Sequence, residues 1–335
     1  MMVQAPILAL ILADVLSLLL LVPAAVFATQ VLRHWNLASG HALQLRLEKR
    51  TFLIGTALGL VFVAQLLVLP LFVHTVDRMA LQIVGAMCAV GTLSANAWGF
   101  PALWLRILLF FLAAAWLVLH RLDGRSPEYP LTRAKYALLL AIVPLAAAAA
   151  AAQLAFFLNL DPDVITSCCG SLFSQDAESV TAHLAGLPPL PTMVALYAVL
   201  GLVLATGAVY LRWRRGLVLF GGLSALAFPV AIAAIVAFVS LYVYEHPLHH
   251  CPFCVLKPEY GYVGYALYPP LFGATALGLG LGLAAAVAMA RRDSLQQVLA
   301  AHAPPLVIVA GAGFALFAAL SAWLSWQSNL ILIGY

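Results

Sequence analysis

The chain has 335 residues, of which 65% are hydrophobic and only 8% charged, with a formal net charge of +4. Soluble domains carry roughly a quarter charged residues. This composition therefore excludes a water-soluble globular enzyme and describes an all-α polytopic membrane protein with the lipid bilayer as its solvent.

Apolar runs of spanning length fall at about residues 6–31, 52–74, 101–119, 136–158, 192–211, 217–244, 266–290 and 305–328. That predicts about eight transmembrane helices. The first run has a small-residue VFA step like a signal-peptide cleavage site. It lacks a basic leader, and Asp14 interrupts its apolar core, so it reads as a membrane helix.

Sidedness follows from the basic residues. Arg33, Arg46, Lys49 and Arg50 lie in the first connection, and Arg121, Arg125, Arg133 and Lys135 in the third. Arg212, Arg214 and Arg215 lie in the fifth, and Arg291 and Arg292 in the seventh. These alternate connections hold 13 of the 16 Lys and Arg residues, which predicts that they are cytoplasmic and that both termini are extracytoplasmic. The opposite face has more acids than bases and is the more hospitable one to cations. The expected location is an integral membrane protein of the bacterial inner membrane.

All five cysteines fall on that outer side: Cys88 in the second connection, Cys168 and Cys169 in the fourth, Cys251 and Cys254 in the sixth. Buried free cysteines that merely filled a core would be scattered through the helices. An oxidising compartment is where disulfide chemistry is possible. The second connection, His74–Phe100, is too short and Gly-broken to span and reads as an interfacial or re-entrant segment. The fourth, Asp161–Pro191, opens DPDVITSCCGSLFS, with a short helix expected near Asp176–Leu184.

The chain reads as a single integral membrane domain over residues 1–335, with candidate halves 1–160 and 190–335 joined by the outer loop 161–191. NAWGFPALWL (Asn96–Leu105) and GYALYPPLFG (Gly264–Gly273) both lead from a Cys-bearing loop into a helix. That echo is the sign of a 4+4 parallel repeat.

The sixth connection carries the chemistry. Glu245–Tyr268 reads EHPLHHCPFCVLKPEYGYVGYALY, with a Cys-x-x-Cys pair, three histidines and four tyrosines. Two thiols at this spacing can close a disulfide. A helix start at the second, with cations such as His249, His250 or Lys257 nearby, would favour the first as thiolate. A c-type haem site needs His after the second Cys and is excluded. The vicinal Cys168–Cys169 pair would close only a strained ring, so these two thiols are expected to act separately.

The Cys-x-x-Cys beside a helix end, with further outer-loop cysteines, resembles the DsbB and vitamin K epoxide reductase families of membrane thiol–disulfide oxidoreductases. The resemblance covers the sixth connection and its flanks. It implies a redox enzyme in which Cys251, Cys254, Cys168 and Cys169 pass electrons between a periplasmic redox partner and a quinone. Arg106, near the outer end of its helix, is then a candidate to polarise a quinone carbonyl. Those families use a four-helix bundle, from which eight helices and a vicinal pair depart.

A second reading is a soft-metal site. Cys88, Cys168, Cys169, His249, His250, Cys251 and Cys254 supply sulfur and imidazole donors suited to copper or zinc, for binding, transport or handoff to a metal-carrier protein. A third is a structural subunit whose loop disulfides shape a docking face. No glycine-rich phosphate loop provides an ATP site, and no basic patch points to nucleic acid.

Overall fold

The structure, a computed structural model, describes residues 4–36, 42–126, 128–161, 163–166, 180–290 and 294–332. Among these are eight helices long and apolar enough to cross a membrane. They are α1 (Ala5–His34), α2 (Ala42–Met79), α4 (Gly99–Asp123), α5 (Thr132–Leu158), α7 (Pro189–Trp213), a composite of α8 (Leu217–Ala234) and α9 (Ser240–Tyr244), α10 (Gly264–Ala290) and α11 (Ser294–Gln327). Short helices α3 (Ala89–Leu93) and α6 (Val180–Ala185) lie in the second and fourth connections. No strand occurs among the described residues.

Two helices begin well before their apolar runs. α2 starts at Ala42, so Arg46, Lys49 and Arg50 are helical, because ALQLRLEKR is rich in strong helix formers. Gln44 also donates to Glu48 one turn on, at 2.9 Å. α11 starts at Ser294 and runs through Pro304 and Pro305, where the sequence had suggested a start.

The chain divides into two compact units that interleave along the sequence: Met1–Met79, Leu93–Pro162 and Leu283–Ala303 form one, and Ala80–Thr92, Asp163–Gly282 and Pro304–Tyr335 the other. In the first unit α1 packs on α2 and α5, and α4 packs on the same two helices. This closed ring is an antiparallel four-helix bundle.

Its core joins Phe62 to Trp116 (ring centroids 4.9 Å apart) and Phe27 to Tyr136 (5.6 Å). The α4–α5 turn is stitched by the buried Asp123, which accepts from Leu131 N and Thr132 Oγ1 at 2.7 Å and pairs with Lys135 Nζ at 2.6 Å. Asn96 does the same at the other end, donating to the carbonyls of Phe156 and Asn159 and accepting from Trp98 N. With no water in hydrocarbon, helix ends rely on such side chains to satisfy their free backbone groups.

In the second unit α7 packs on α8. α8 passes into α9 through a π-helical turn at Ile235–Val239. Gly221 of α8 faces Gly282 of α10 so closely that a Cβ at either would meet the other backbone at under 3 Å. Paired glycines let membrane helices approach to backbone contact.

Candidate functional site: a three-thiol cluster

Cys88, Cys251 and Cys254 converge within the second unit. Their sulfurs all lie within 4.8 Å of one another, and Cys88 Sγ is 3.4 Å from Cys251 Sγ. None forms a disulfide among the described residues, and all three are buried, at 0%, 0% and 6% exposure respectively. Two connections separated by more than 160 residues thus contribute to one site.

Local backbone chemistry presents each sulfur. Cys88 sits just before α3, after a turn in which Gly85 adopts φ +82 with the Thr166 carbonyl where a Cβ would be. Only glycine fits there. Thr166 N donates to Val84 O at 2.9 Å, fastening the fourth connection to the Cys88 turn. Cys168 and Cys169 lie outside the described residues.

Cys254 opens a short 3₁₀ turn, Cys254–Leu256, followed by a second at Pro258–Tyr260 before α10 begins at Gly264. The Cys-x-x-Cys therefore does not lead directly into the membrane helix. Two tyrosines clamp it from the flanking helices instead. Tyr244 Oη donates to the Cys251 carbonyl and Tyr268 Oη to the Pro252 carbonyl, each at 2.5 Å. On the far side Glu245 accepts from the backbone and side chain of Asn329 at 2.9 Å. The loop is thus held from α9, from α10 and from the segment just past α11.

The electrostatics differ from what the motif suggests. The Cys251 thiol is pushed well above its usual range, chiefly by its hydrogen bond with the Cys254 thiol; the Cys88 contact opposes this and burial adds to it. His249 does not supply the expected cation. His249 is held below the usual imidazole range by burial and then by its neighbours His246 and His250. It stacks on Tyr244 with centroids 4.1 Å apart, and its buried Nε2 has no hydrogen-bond partner among the described residues.

His250 Nδ1 lies 2.9 Å from Val236 O. A carbonyl can only accept, so Nδ1 carries the proton. That carbonyl belongs to the π turn, whose altered ladder makes backbone groups available at a site. Neither histidine joins the sulfur cluster itself.

Arg106 belongs to the first unit and is 2% exposed. It does not reach an interface. Its guanidinium pairs with Asp14 through Nη2 and donates through Nη1 to Gln65 Oε1 at 3.2 Å. Gln153 Nε2 donates to the same Asp14 oxygen at 2.9 Å, and Gln65 Nε2 to Ser17 Oγ at 2.8 Å. The scattered polar residues of four spans thus form one buried network. Sequence spacing gives no sign of it, because its members are brought together from four different helices.

The clamping tyrosines and the π turn were also missed from sequence. Tyr268 carried a signal, as one of the tyrosines around the motif. The π turn carried none, since IVAFV reads as ordinary apolar helix. No family model matches the chain, and neither a curated protein nor a solved structure is similar to it.

Proposed function

We propose that the protein captures a soft metal ion, Cu(I) foremost, on the extracytoplasmic side of a bacterial inner membrane and hands it to a periplasmic metal carrier. The observation that carries this reading is the convergence of three buried thiols from two connections. With metal–sulfur bonds of about 2.3 Å, a trigonal site places its sulfurs about 4 Å apart. The separations here, 3.4 Å between Cys88 and Cys251 and within 4.8 Å throughout, bracket that value. Three thiolates with no fourth donor among the described residues suit Cu(I), whereas zinc takes four. For zinc a fourth donor, such as the imidazole of His249, would have to join them.

Binding releases thiol protons, so affinity rises with pH. The basic-residue asymmetry supports both termini lying outside, with the cysteine connections on the same face. The Asn96–Leu105 and Gly264–Gly273 echo supports reading the eight helices as a 4+4 parallel repeat.

Copper analysis of purified, reduced protein tests the reading. About one Cu(I) per chain is expected for the wild type, with occupancy lost in each of Cys88→Ser, Cys251→Ser and Cys254→Ser. Wild-type protein that holds no copper or zinc after loading would sink it.

A second reading, thiol–disulfide exchange, is favoured by the Cys-x-x-Cys spacing and the 3.4 Å contact between Cys88 and Cys251. Closing a disulfide between Cys251 and Cys254 releases two protons and two electrons, which a quinone or a partner's disulfide would accept. Burial of all three thiols weighs against attack on a partner protein. In this reading Cys254→Ser traps a mixed disulfide through Cys251 and Cys251→Ser does not. Such an adduct on metal-free protein would replace the metal reading.

A further inference from the structure

Within the first unit, α1 and α2 leave an open groove of about 370 Å³ between them. On α1 its wall is Pro23, Val26, Phe27 and Gln30, and on α2 it is Arg50, Leu53 and Ile54. These positions step by three and four residues, so each set lies on one face of its helix. From Pro23 to Gln30 the groove runs about 10 Å along α1.

The two helices are antiparallel neighbours, so Gln30 and Arg50 share the end nearest their connection. The rest of the groove is apolar. Val26 and Leu53 are 60% and 68% exposed, towards the space that lipid occupies, while Phe27 is buried. The polar end is strongly cationic: Arg33, Arg46, Lys49 and Arg50 are all exposed around it. The one acid in the start of α2, Glu48, accepts a hydrogen bond from Gln44.

A cationic and amide end on an apolar channel matches the layout of a phospholipid entering from the basic side of the membrane. We propose that this groove binds an anionic phospholipid, with its phosphate on Arg50 and Gln30 and one acyl chain along Val26, Phe27, Leu53 and Ile54. Zwitterionic lipid would fill the apolar channel equally well. The surrounding cations select the lipid with net negative charge. Each basic residue near an anionic headgroup contributes about a fivefold preference. The assignment depends on the membrane architecture and not on the metal site.

Full-length protein in detergent, titrated with phosphatidylglycerol or with phosphatidylcholine of the same chains and read by native mass spectrometry, tests it. Wild type is expected to bind phosphatidylglycerol at least about fivefold more tightly. Arg50→Gln should reduce that preference about fivefold, Arg50→Lys should keep it, and Ile54→Trp should weaken both lipids by filling the channel. Arg50 is exposed and Ile54 only partly buried, and unfolding midpoints without lipid check that the variants fold. Equal binding of the two lipids by wild type, or an undiminished preference in Arg50→Gln, overturns the proposal. So does competition by millimolar inorganic phosphate that displaces the lipid completely, because it would assign the cationic end to free anions.

Discussion

Removing Asp14 should be far more damaging than removing it together with Arg106. In the first unit Arg106 is buried, with its charge balanced by Asp14 and its remaining contact a neutral amide, Gln65. Asp14→Leu leaves that guanidinium uncompensated, a change that costs about 3–5 kcal/mol in buried pairs. Arg106→Met is milder, about 1–3 kcal/mol, because the stranded carboxyl can take up a proton.

The double variant removes both charges and leaves Gln65 Oε1 and Gln153 Nε2 without these partners, at about 1–3 kcal/mol in all. The two changes should therefore couple by at least about 1 kcal/mol, with the double variant more stable than Asp14→Leu alone. Reversible unfolding in mixed micelles, run on the four proteins of the cycle, measures this directly. Additivity within about 0.5 kcal/mol would refute the reasoning, since it would mean that the two charges do not depend on each other.

Gly221→Ala should destabilise by about 1–3 kcal/mol because its Cβ would come within 2.4 Å of Gly282 Cα; Gly222→Ala, with nothing within 4 Å of its Cβ, should be neutral in the same thermal assay. The raised Cys251 thiol favours the protonated form in the native state. Its contribution to stability is then complete below the usual thiol range near pH 8.5 and lost as pH climbs through and beyond it. Unfolding of the metal-free protein between about pH 7 and 10 should show this decline, flattened in Cys251→Ser. Copper affinity should move the other way over the neutral range, rising up to about tenfold per pH unit for each proton released, as competition titrations at several pH values would show. Reporter fusions at Arg125 and Arg214 should read cytoplasmic and one at Leu248 extracytoplasmic; the opposite pattern would overturn the assigned sidedness.

Sequence alone determined the number and rough limits of the spanning helices. Twenty or so consecutive apolar residues have one stable arrangement in hydrocarbon, a helix that satisfies its own backbone. It also singled out the five cysteines of the outer connections, Cys88, Cys168, Cys169, Cys251 and Cys254, as candidates for chemistry, because core-filling thiols would be scattered through the helices. It did not fix helix limits where good helix formers carry a helix past its apolar run, as at Ala42–Arg50.

What tertiary structure decided was which residues meet. Cys88 joins Cys251 because the Gly85 turn and the tyrosine clamps hold two distant connections over one point. Arg106 is internal because Asp14 and Gln65 reach it from two other helices, and Gln153 holds the same Asp14 oxygen from a third. Periodicity along one helix names the face that is buried, but not the side chain that a separate helix brings opposite it. The neighbouring Cys254 thiol, with burial added, then reversed a local expectation: the Cys251 thiol that motif chemistry marks for activation is held protonated.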